Sequence, residues 1–454
     1  MPDTYTTALG GGPSYQAILD TDSRRVPAVL RERASPSLGN VTLSVARYVD
    51  KQFFQNEIEK VWLRTWQMAC REEDIPHIGD CHVYDIVGRS IIITRIAEND
   101  FRAYHNSCPH RGRKLLATSG ARTDIRCAYH GLCWHIDGSL KANPIAWDFA
   151  DSRSESWNLP RVPLARWGGF IFVNLDRNAP RFETIASALI RHFERWPQDN
   201  RYKAAHVAKV VRANWKVVSE AFMESHHSVT THPQILPFTA DVNSQYDILS
   251  QHVTRHITAA AVPSPFVADG LTEQQIFLAM SEFSRRGAQV SEQALPDGAT
   301  ARANMAELMR SALGALDCAD YSSRCDAEIL DSILYNLFPN FCVWAGVGPN
   351  LIYRWRPNGV DHASTIMDVM ILRPVPKGGP RPKAASTRWL ADEQSWSSAI
   401  ELGPLGGIFD QDMGNLQYVQ EGLIASGTGN VRLAAYTEGR IAHHHQTLDE
   451  YLAR

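Results

Sequence analysis

The spacing of apolar residues divides the chain into regions of different period. Across residues 49–67 (VDKQFFQNEIEKVWLRTWQ) apolar side chains recur every three or four positions, which predicts an amphipathic helix. From about Met68 to Leu175 the period shortens to two. HVYDIVG, SIIITRI, FRAYHN and GGFIFVNL read as short strands, with turn signals such as Asp137-Gly138 between them. Beyond Asp176 the two patterns mix. FETIASALIRHFERW, NWKVVSEAFMESHHSV and TARANMAELMRSALGAL have helical spacing, whereas FCVWAG, LIYRWRP and STIMDVMILRPV read as strands.

These runs predict an α+β protein, with a small antiparallel β domain followed by a larger domain whose antiparallel sheet is surrounded by helices. The expected divisions are a polar, turn-rich arm at residues 1–45, the β domain with its lead-in helix at 46–175, and the larger domain at 176–454. The basic, Pro/Gly-rich segment 375–389 reads as an exposed loop. His443, His444 and His445 are adjacent, so on a helix they face different sides and cannot bind one metal; they read as a solvated surface run.

Two short segments carry the chemistry. Cys108-Pro109-His110 is followed, after sixteen residues, by Cys127-Ala128-Tyr129-His130. Two thiolates and two imidazoles in two loops can hold a two-iron cluster, with Cys on one iron and His on the other, which is the Rieske arrangement. Zinc is the competing metal for a Cys₂His₂ set. Zinc fingers pair Cys with Cys and His with His, whereas each loop here contributes one of each. Cys133 follows His130 by three residues and has no counterpart in the first loop, so it reads as a small buried side chain.

With Asn106-Ser107 before the first loop, and Arg111-Gly112 and Gly131 after the ligands, the sequence resembles the Rieske domain of ring-hydroxylating oxygenase α subunits. The resemblance runs from about Tyr48 to the C-terminus. It implies a [2Fe-2S] cluster held by Cys108, His110, Cys127 and His130. Such a cluster stores one electron and offers no open position, so oxygen chemistry needs a second metal.

Residues 214–233 (NWKVVSEAFMESHHSVTTHP) supply candidates. His227 and His232 are five positions apart and point to different faces of a regular helix, so the helix must distort or end between them to bring both to one metal. Thr230, Thr231 and Pro233 favour an end there. Two His and one carboxylate with open positions make the site of non-haem Fe(II) oxygenases. The resemblance implies that His227 and His232 are the iron ligands and that Asp412 is the third, with Asp410 as the alternative. A reading in which both aspartates only cap a helix also stands. The resemblance further implies that Glu224 bridges an iron-ligand His to a cluster-ligand His of a neighbouring subunit. Glu220 reads as a surface helix carboxylate, and His226 as a hydrogen-bonded structural His. Pocket candidates are Phe222, Met223 and residues 337–344 (LFPNFCVW), with the stretch 245–330 as a cover over the pocket.

Composition narrows the remaining options. A net charge of −3 argues against nucleic acid or an anionic membrane as partner, and no apolar run is long enough to span a bilayer. Eight cysteines, two of them candidate ligands, do not make a disulfide scaffold, and the N-terminus lacks a basic start followed by an apolar core; a cytoplasmic protein is expected. No G-x-G-x-x-G fingerprint is present, so electrons are expected from a separate ferredoxin or reductase. The family pattern implies a homotrimer, alone or with an additional β subunit. The expected function is a terminal oxygenase that hydroxylates a hydrophobic, aromatic substrate with O2. The alternatives are oxidative N- or O-dealkylation or hydroxylation of a quaternary ammonium compound at the same iron, with Tyr335, Trp344 and Tyr353 as cage candidates, and an electron-transfer protein that uses only the cluster.

Overall fold

A computed structural model describes residues 11–149, 151, 155–285, 294–348, 350–376 and 379–454. Its centre is an eight-stranded sheet. In spatial order the strands are Gln245–Ile248, Val253–Thr258, Ser332–Leu337, Phe341–Trp344, Asn350–Asn358, Asp361–Pro374, Arg201–Val211 and Arg388–Leu390. All neighbours are antiparallel except the last pair, where Val207 to Lys209 run parallel to Arg388 to Leu390.

Both faces of this sheet are covered, and the alternation of side chains decides what each face meets. Ile333, Tyr335, Leu337, Ile352, Met370 and Leu372 pack against residues 182–196 and the N-terminal segment. Their neighbours Leu334, Leu351, Tyr353, Val369 and Met367 point the other way, against Val217, Val218, Phe222, Phe409 and Leu416. The second face therefore carries the two helices Trp215–Glu220 and Leu405–Ile424; the latter holds Asp412, and the former leads into the segment with His227 and His232.

Ahead of this sheet lies a β module. Strands Asp100–His105, Arg89–Ala97, Asp80–Ile86 and Gly120–Ala121 form one sheet, and Ile125–Arg126, Cys133–Trp134 and Leu140–Ala142 another. The register Ile92↔Tyr104 and Ile91↔Tyr84 places the predicted strands side by side as expected from their period-two pattern.

The structure departs from the sequence reading in four places. The described part of residues 1–45 is packed rather than extended: it holds helices Tyr15–Leu19 and Ala28–Arg31, and buries Tyr15, Ile18, Leu19 and Leu30 in the main core. The lead-in helix changes pitch, from α at Lys51–Glu57 to π at Ile58–Trp62, before strand Gln67–Arg71 begins. The stretch 245–330 begins with two strands of the central sheet, so only its later part lies outside the sheet. Strand Arg201–Val211, next to the sheet edge, has its polar residues buried by partners: Lys203 bonds Asp74, and His206 meets Asp368 at 2.9 Å. Those polar residues hide a strand from an apolar count. No helix among the described residues is long and apolar enough to cross a membrane.

Candidate metal centres

The two Cys/His loops leave the ends of strands and share one tip. Gly112 donates to the Cys108 carbonyl at 2.9 Å and Gly131 to the Cys127 carbonyl at 3.0 Å, closing two equivalent turns. Both glycines sit at positive φ, 71° and 81°, which a side chain would oppose. Asn106 pins the first loop: its Oδ1 accepts from the amides of Leu115 and Leu116 at 3.0 and 2.8 Å, and its Nδ2 donates to the Leu116 carbonyl at 2.7 Å. Cys108 and Cys127 are buried, and the His110 and His130 rings lie 4.6 Å apart, centroid to centroid. Burial raises the Cys127 thiol, but the backbone N–H groups of Tyr129 and His130 aimed at its sulfur outweigh burial, and the net shift is downward. His110 Nδ1 is buried with no hydrogen-bond partner, an orphaned nitrogen that a metal would satisfy. These residues fit a two-iron cluster. Cys133 is buried, as expected, and all eight cysteines are free thiols.

The second group is built at a helix break. Asn214 caps helix Trp215–Glu220, its side chain accepting from the Lys216 amide at 3.1 Å. The helix stops, a loop passes through Glu224, and a single turn at Ser228–Thr231 ends at His232, whose φ and ψ of −128° and 53° are not helical. This is the distortion that the five-residue spacing requires. Asp412 comes from the buried side of helix Leu405–Ile424. Its Oδ1 lies 2.8 Å from His232 Nε2 and 3.5 Å from His227 Nε2, and one ligand atom from each of the three residues lies within 4.8 Å of the others.

The far side of each imidazole is also held. His227 Nδ1 meets Glu224 Oε1 at 2.5 Å, and His232 Nδ1 meets Gln411 Oε1 at 2.9 Å. Each ring therefore presents Nε2 to the same point, the orientation a metal-binding imidazole needs. Burial raises the Asp412 carboxyl, but hydrogen bonds from His227 and His232 hold it below its ordinary value. Burial opposes charge on His227, yet Asp412 and Glu224 push it up to about 10. A doubly anionic surrounding of this kind suits a divalent cation, and two His with one carboxylate fit Fe(II). Asp410 faces elsewhere: its oxygens accept from the amides of Trp396 and Ser397 at 2.6 and 3.1 Å, capping the short helix Trp396–Ser398. His226 reaches Glu224 Oε2 at 2.8 Å and keeps its side chain partly exposed.

His227 and Asp412 open onto a cavity of about 420 Å³, with His232 outside its lining. Val217, Leu416, Leu423 and Leu433 form its apolar wall, and Glu220, Glu224 and Glu438 bring carboxylates. The expected pocket residues are not among its lining. Phe222 is instead packed on Tyr353, Trp355 and Phe409, and Met223 is buried behind the site. Residues 337–344 belong to two strands of the sheet and the turn between them. Tyr335 lies on the opposite sheet face from Tyr353, so these two and Trp344 form no cage.

Two further expectations are corrected here. Glu220 is largely enclosed rather than a surface carboxylate, its side chain 15% exposed: Tyr48 Oη donates to its oxygens at 3.1 and 3.3 Å, and His445 Nε2 lies 2.8 Å from Oε1. The His443–His445 run is likewise turned inward on helix Gly439–Leu452. His444 packs on Trp215 and Phe338, His445 joins Tyr48 and Glu220, and His443 Nε2 contacts the Gln251 carbonyl at 3.1 Å. Ile441, Leu448 and Tyr451 on the same helix are buried, and that apolar spacing was the available signal.

Comparison with known proteins follows the same two parts. Residues 190–454 match the family model "Ring hydroxylating alpha subunit (catalytic domain)", and residues 65–150 match "Rieske [2Fe-2S] domain". The carnitine monooxygenase oxygenase subunit of Escherichia coli (strain K12) is 31% identical over 195 residues, covering 42% of this chain and 52% of that protein. The glycine betaine monooxygenase oxygenase subunit of Pseudomonas aeruginosa (strain PAO1) is 27% identical over 190 residues, covering 42% and 44%. The chain thus spans about half the length of the curated relatives it matches. Among solved structures, a quaternary ammonium Rieske monooxygenase in complex with L-carnitine aligns at TM-score 0.61 and 19% identity, over 90% of this chain and 95% of that one. Naphthalene 1,2-dioxygenase with indole bound aligns at 0.63 and 16%, over 93% and 94%. At these identities the structural likeness speaks to the fold.

Proposed function

Because the chain belongs to the ring-hydroxylating alpha-subunit family, whose catalytic-domain model matches more than half of its length, we propose that it is a terminal oxygenase for a small organic substrate. The observation that carries this reading is the convergence of His227, His232 and Asp412 on one point, with the far nitrogen of each imidazole held by Glu224 or Gln411. Those three residues would hold Fe(II), and Cys108, His110, Cys127 and His130 would hold the cluster. When bound, the two centres supply one-electron transfer and oxygen activation.

In its simplest form the reaction takes a C–H bond, O2, two electrons and two protons to a C–OH bond and water. The protein's own part is positioning. Glu224 fixes His227 from behind and, in this reading, links it to the cluster of an adjacent subunit in a homotrimer. The cavity walls orient substrate and limit water. Electrons come from a separate ferredoxin or reductase.

For the substrate, we favour a quaternary ammonium compound over the aromatic hydrocarbon suggested by sequence. Glu224, held as the anion by His226 and His227, lines the cavity beside the carboxyl groups of Glu220 and Glu438, and the curated relatives named above act on carnitine and glycine betaine. Aromatic hydroxylation remains the second reading, supported by the apolar wall of Val217, Leu416, Leu423 and Leu433.

Metal analysis of anaerobically purified protein tests the reading first. About three irons and two acid-labile sulfides per chain, with a Rieske-type EPR signal, are expected. Zinc without sulfide would overturn it. Turnover with a reductase is then compared between trimethylammonium compounds and naphthalene.

A further inference from the structure

We propose that Glu220 supplies protons to the oxygen being reduced in this cavity, and that Tyr48 and His445 position it. The inference rests on the oxygenase reading above and assigns a further residue to it.

Glu220 shares the cavity wall with Glu224, His227 and Asp412 but is a member of neither candidate metal set. It has its own pair of partners on two other elements: Tyr48 from the helix Ala46–Val49 and His445 from the helix Gly439–Leu452. The proton positions follow from the geometry. Arg47 Nη1 lies 3.4 Å from His445 Nδ1, and a guanidinium can only donate, so Nδ1 is the acceptor and Nε2 carries the hydrogen. His445 Nε2–H is then a donor toward Glu220 Oε1 at 2.8 Å, and Tyr48 Oη–H is a second donor. Two neutral donors aim at one carboxyl group.

Cations stand nearby and are engaged elsewhere. Lys216 Nζ, on the same helix as Glu220, bonds Glu57 at 2.6 Å, and Arg47 bonds Asp449 at 2.7 Å. A buried carboxylate with a structural task is ordinarily paired with a cation, because the desolvated charge is otherwise costly. Among the described residues no Lys or Arg forms a direct ion pair with Glu220, and Glu438 is electrostatically coupled to it. The arrangement holds a neutral acid at rest and receives the anion with two hydrogen bonds once the proton has left. Burial pushes the Glu220 carboxyl up to about 8, with Lys216, Tyr48 and Arg47 partly opposing.

The step balances as follows. The O–H bond of the Glu220 carboxyl breaks and a new O–H bond forms on the oxygen that has received electrons from the donor protein. The carboxylate left behind accepts from Tyr48 and His445, and a proton from solvent at the cavity mouth restores the acid. The acid form is the active one, so the rate of product formation falls as pH rises through about 8.

The test compares wild type with Glu220→Gln, both loaded with iron and cluster and driven by the same reductase. Wild type is expected to lose activity on an alkaline limb near pH 8. Glu220→Gln is expected to run roughly 10²-fold slower without that limb. A second readout needs no turnover. The infrared spectrum of wild type at pH 6.5 is expected to contain a protonated-carboxyl C=O band that Glu220→Gln lacks and that disappears toward pH 9.5. Tyr48→Phe, which removes one donor to the anion, is expected to move both the band and the limb upward. An unchanged alkaline limb in Glu220→Gln, or no such infrared band in wild type, overturns the assignment. Should Glu220→Gln fail to fold, the wild-type and Tyr48→Phe infrared titrations decide alone. Absence of any oxygenase turnover in wild type counts against the oxygenase reading instead, so the two failures are separable.

Discussion

Gln411 Oε1 lies 2.9 Å from His232 Nδ1, one residue before Asp412, whose Oδ1 lies 2.8 Å from the same ring's Nε2. Consecutive residues of one helix thus address opposite edges of one imidazole. Gln411 is itself held by Gln234, whose Nε2 donates to its Oε1 at 2.7 Å. The amide oxygen obliges Nδ1 to carry the hydrogen and leaves Nε2 free for metal. Replacing Gln411 by Leu is expected to lower Fe(II) affinity by roughly 10–100-fold while leaving the cluster spectrum intact. Titration of the apo protein with Fe(II) measures it, and an unchanged affinity would remove Gln411 from the site.

Asp410 and Asp412 are two residues apart and do different work. Asp412→Asn should abolish iron at the second centre. Asp410→Asn should leave iron content unchanged, and Asp410→Ala should cost about 1 kcal/mol through the lost cap on Trp396–Ser398. Iron per chain, alongside denaturant unfolding of each variant, separates these outcomes. Iron loss in Asp410→Asn would reverse the assignment.

Lys216 and Glu57 are both fully buried, and Glu57 also accepts from Trp215 Nε1 at 3.0 Å. Lys216→Met leaves a buried carboxylate without its cation and is expected to destabilise the fold by roughly 3–5 kcal/mol. Adding Glu57→Gln, whose amide oxygen still accepts from Trp215, should recover the greater part. Equal stabilities for the single and double variants would show that the pair does not share its charge as drawn.

The N-terminal segment should respond to acid. Arg191 bonds both oxygens of Glu32 at 2.9 Å, and these bonds hold the carboxyl down to about 2. A carboxyl depressed in the folded state adds stability above its unfolded pKa of about 4.3 and loses it as pH falls through the folded value. Thermal midpoints of wild type should therefore fall more steeply between about pH 4.5 and pH 2 than those of Glu32→Gln. Parallel acid limbs would mean that the pair does not tie the segment down in solution.

The pattern of apolar positions made seven strands legible, three of them in the central sheet, because the period of two survives where one face is buried; Gln245–Ile248, Val253–Thr258 and Ser332–Leu337 went unread. It failed at Arg201–Val211, where Lys203 and His206 are buried with partners supplied by distant residues. At the metal centres, short spacing carried the information: Cys108 with His110, Cys127 with His130, and His227 with His232 each lie within one local segment. Asp412 was reachable only through a resemblance, since nothing local distinguishes it from Asp410. The partners of Glu220 were out of reach for a simpler reason. Tyr48 is 172 residues away and His445 is 225 away, and no local pattern pairs residues so far apart.

That separation along the chain has a consequence for when the protein can become active. His227 and His232 lie at the middle of the sequence, and Asp412 arrives 180 residues after His232. Among the described residues, strand Val41–Ser44 pairs with Asn430–Leu433 alone, and Lys60 Nζ donates to the carbonyl of Leu452 at 2.6 Å. A chain still on the ribosome therefore holds two imidazoles without their carboxylate and a front edge without its cover. The full candidate ligand set of the second centre exists only once Asp412 has been made, whereas the Cys108–His130 loops are complete long before.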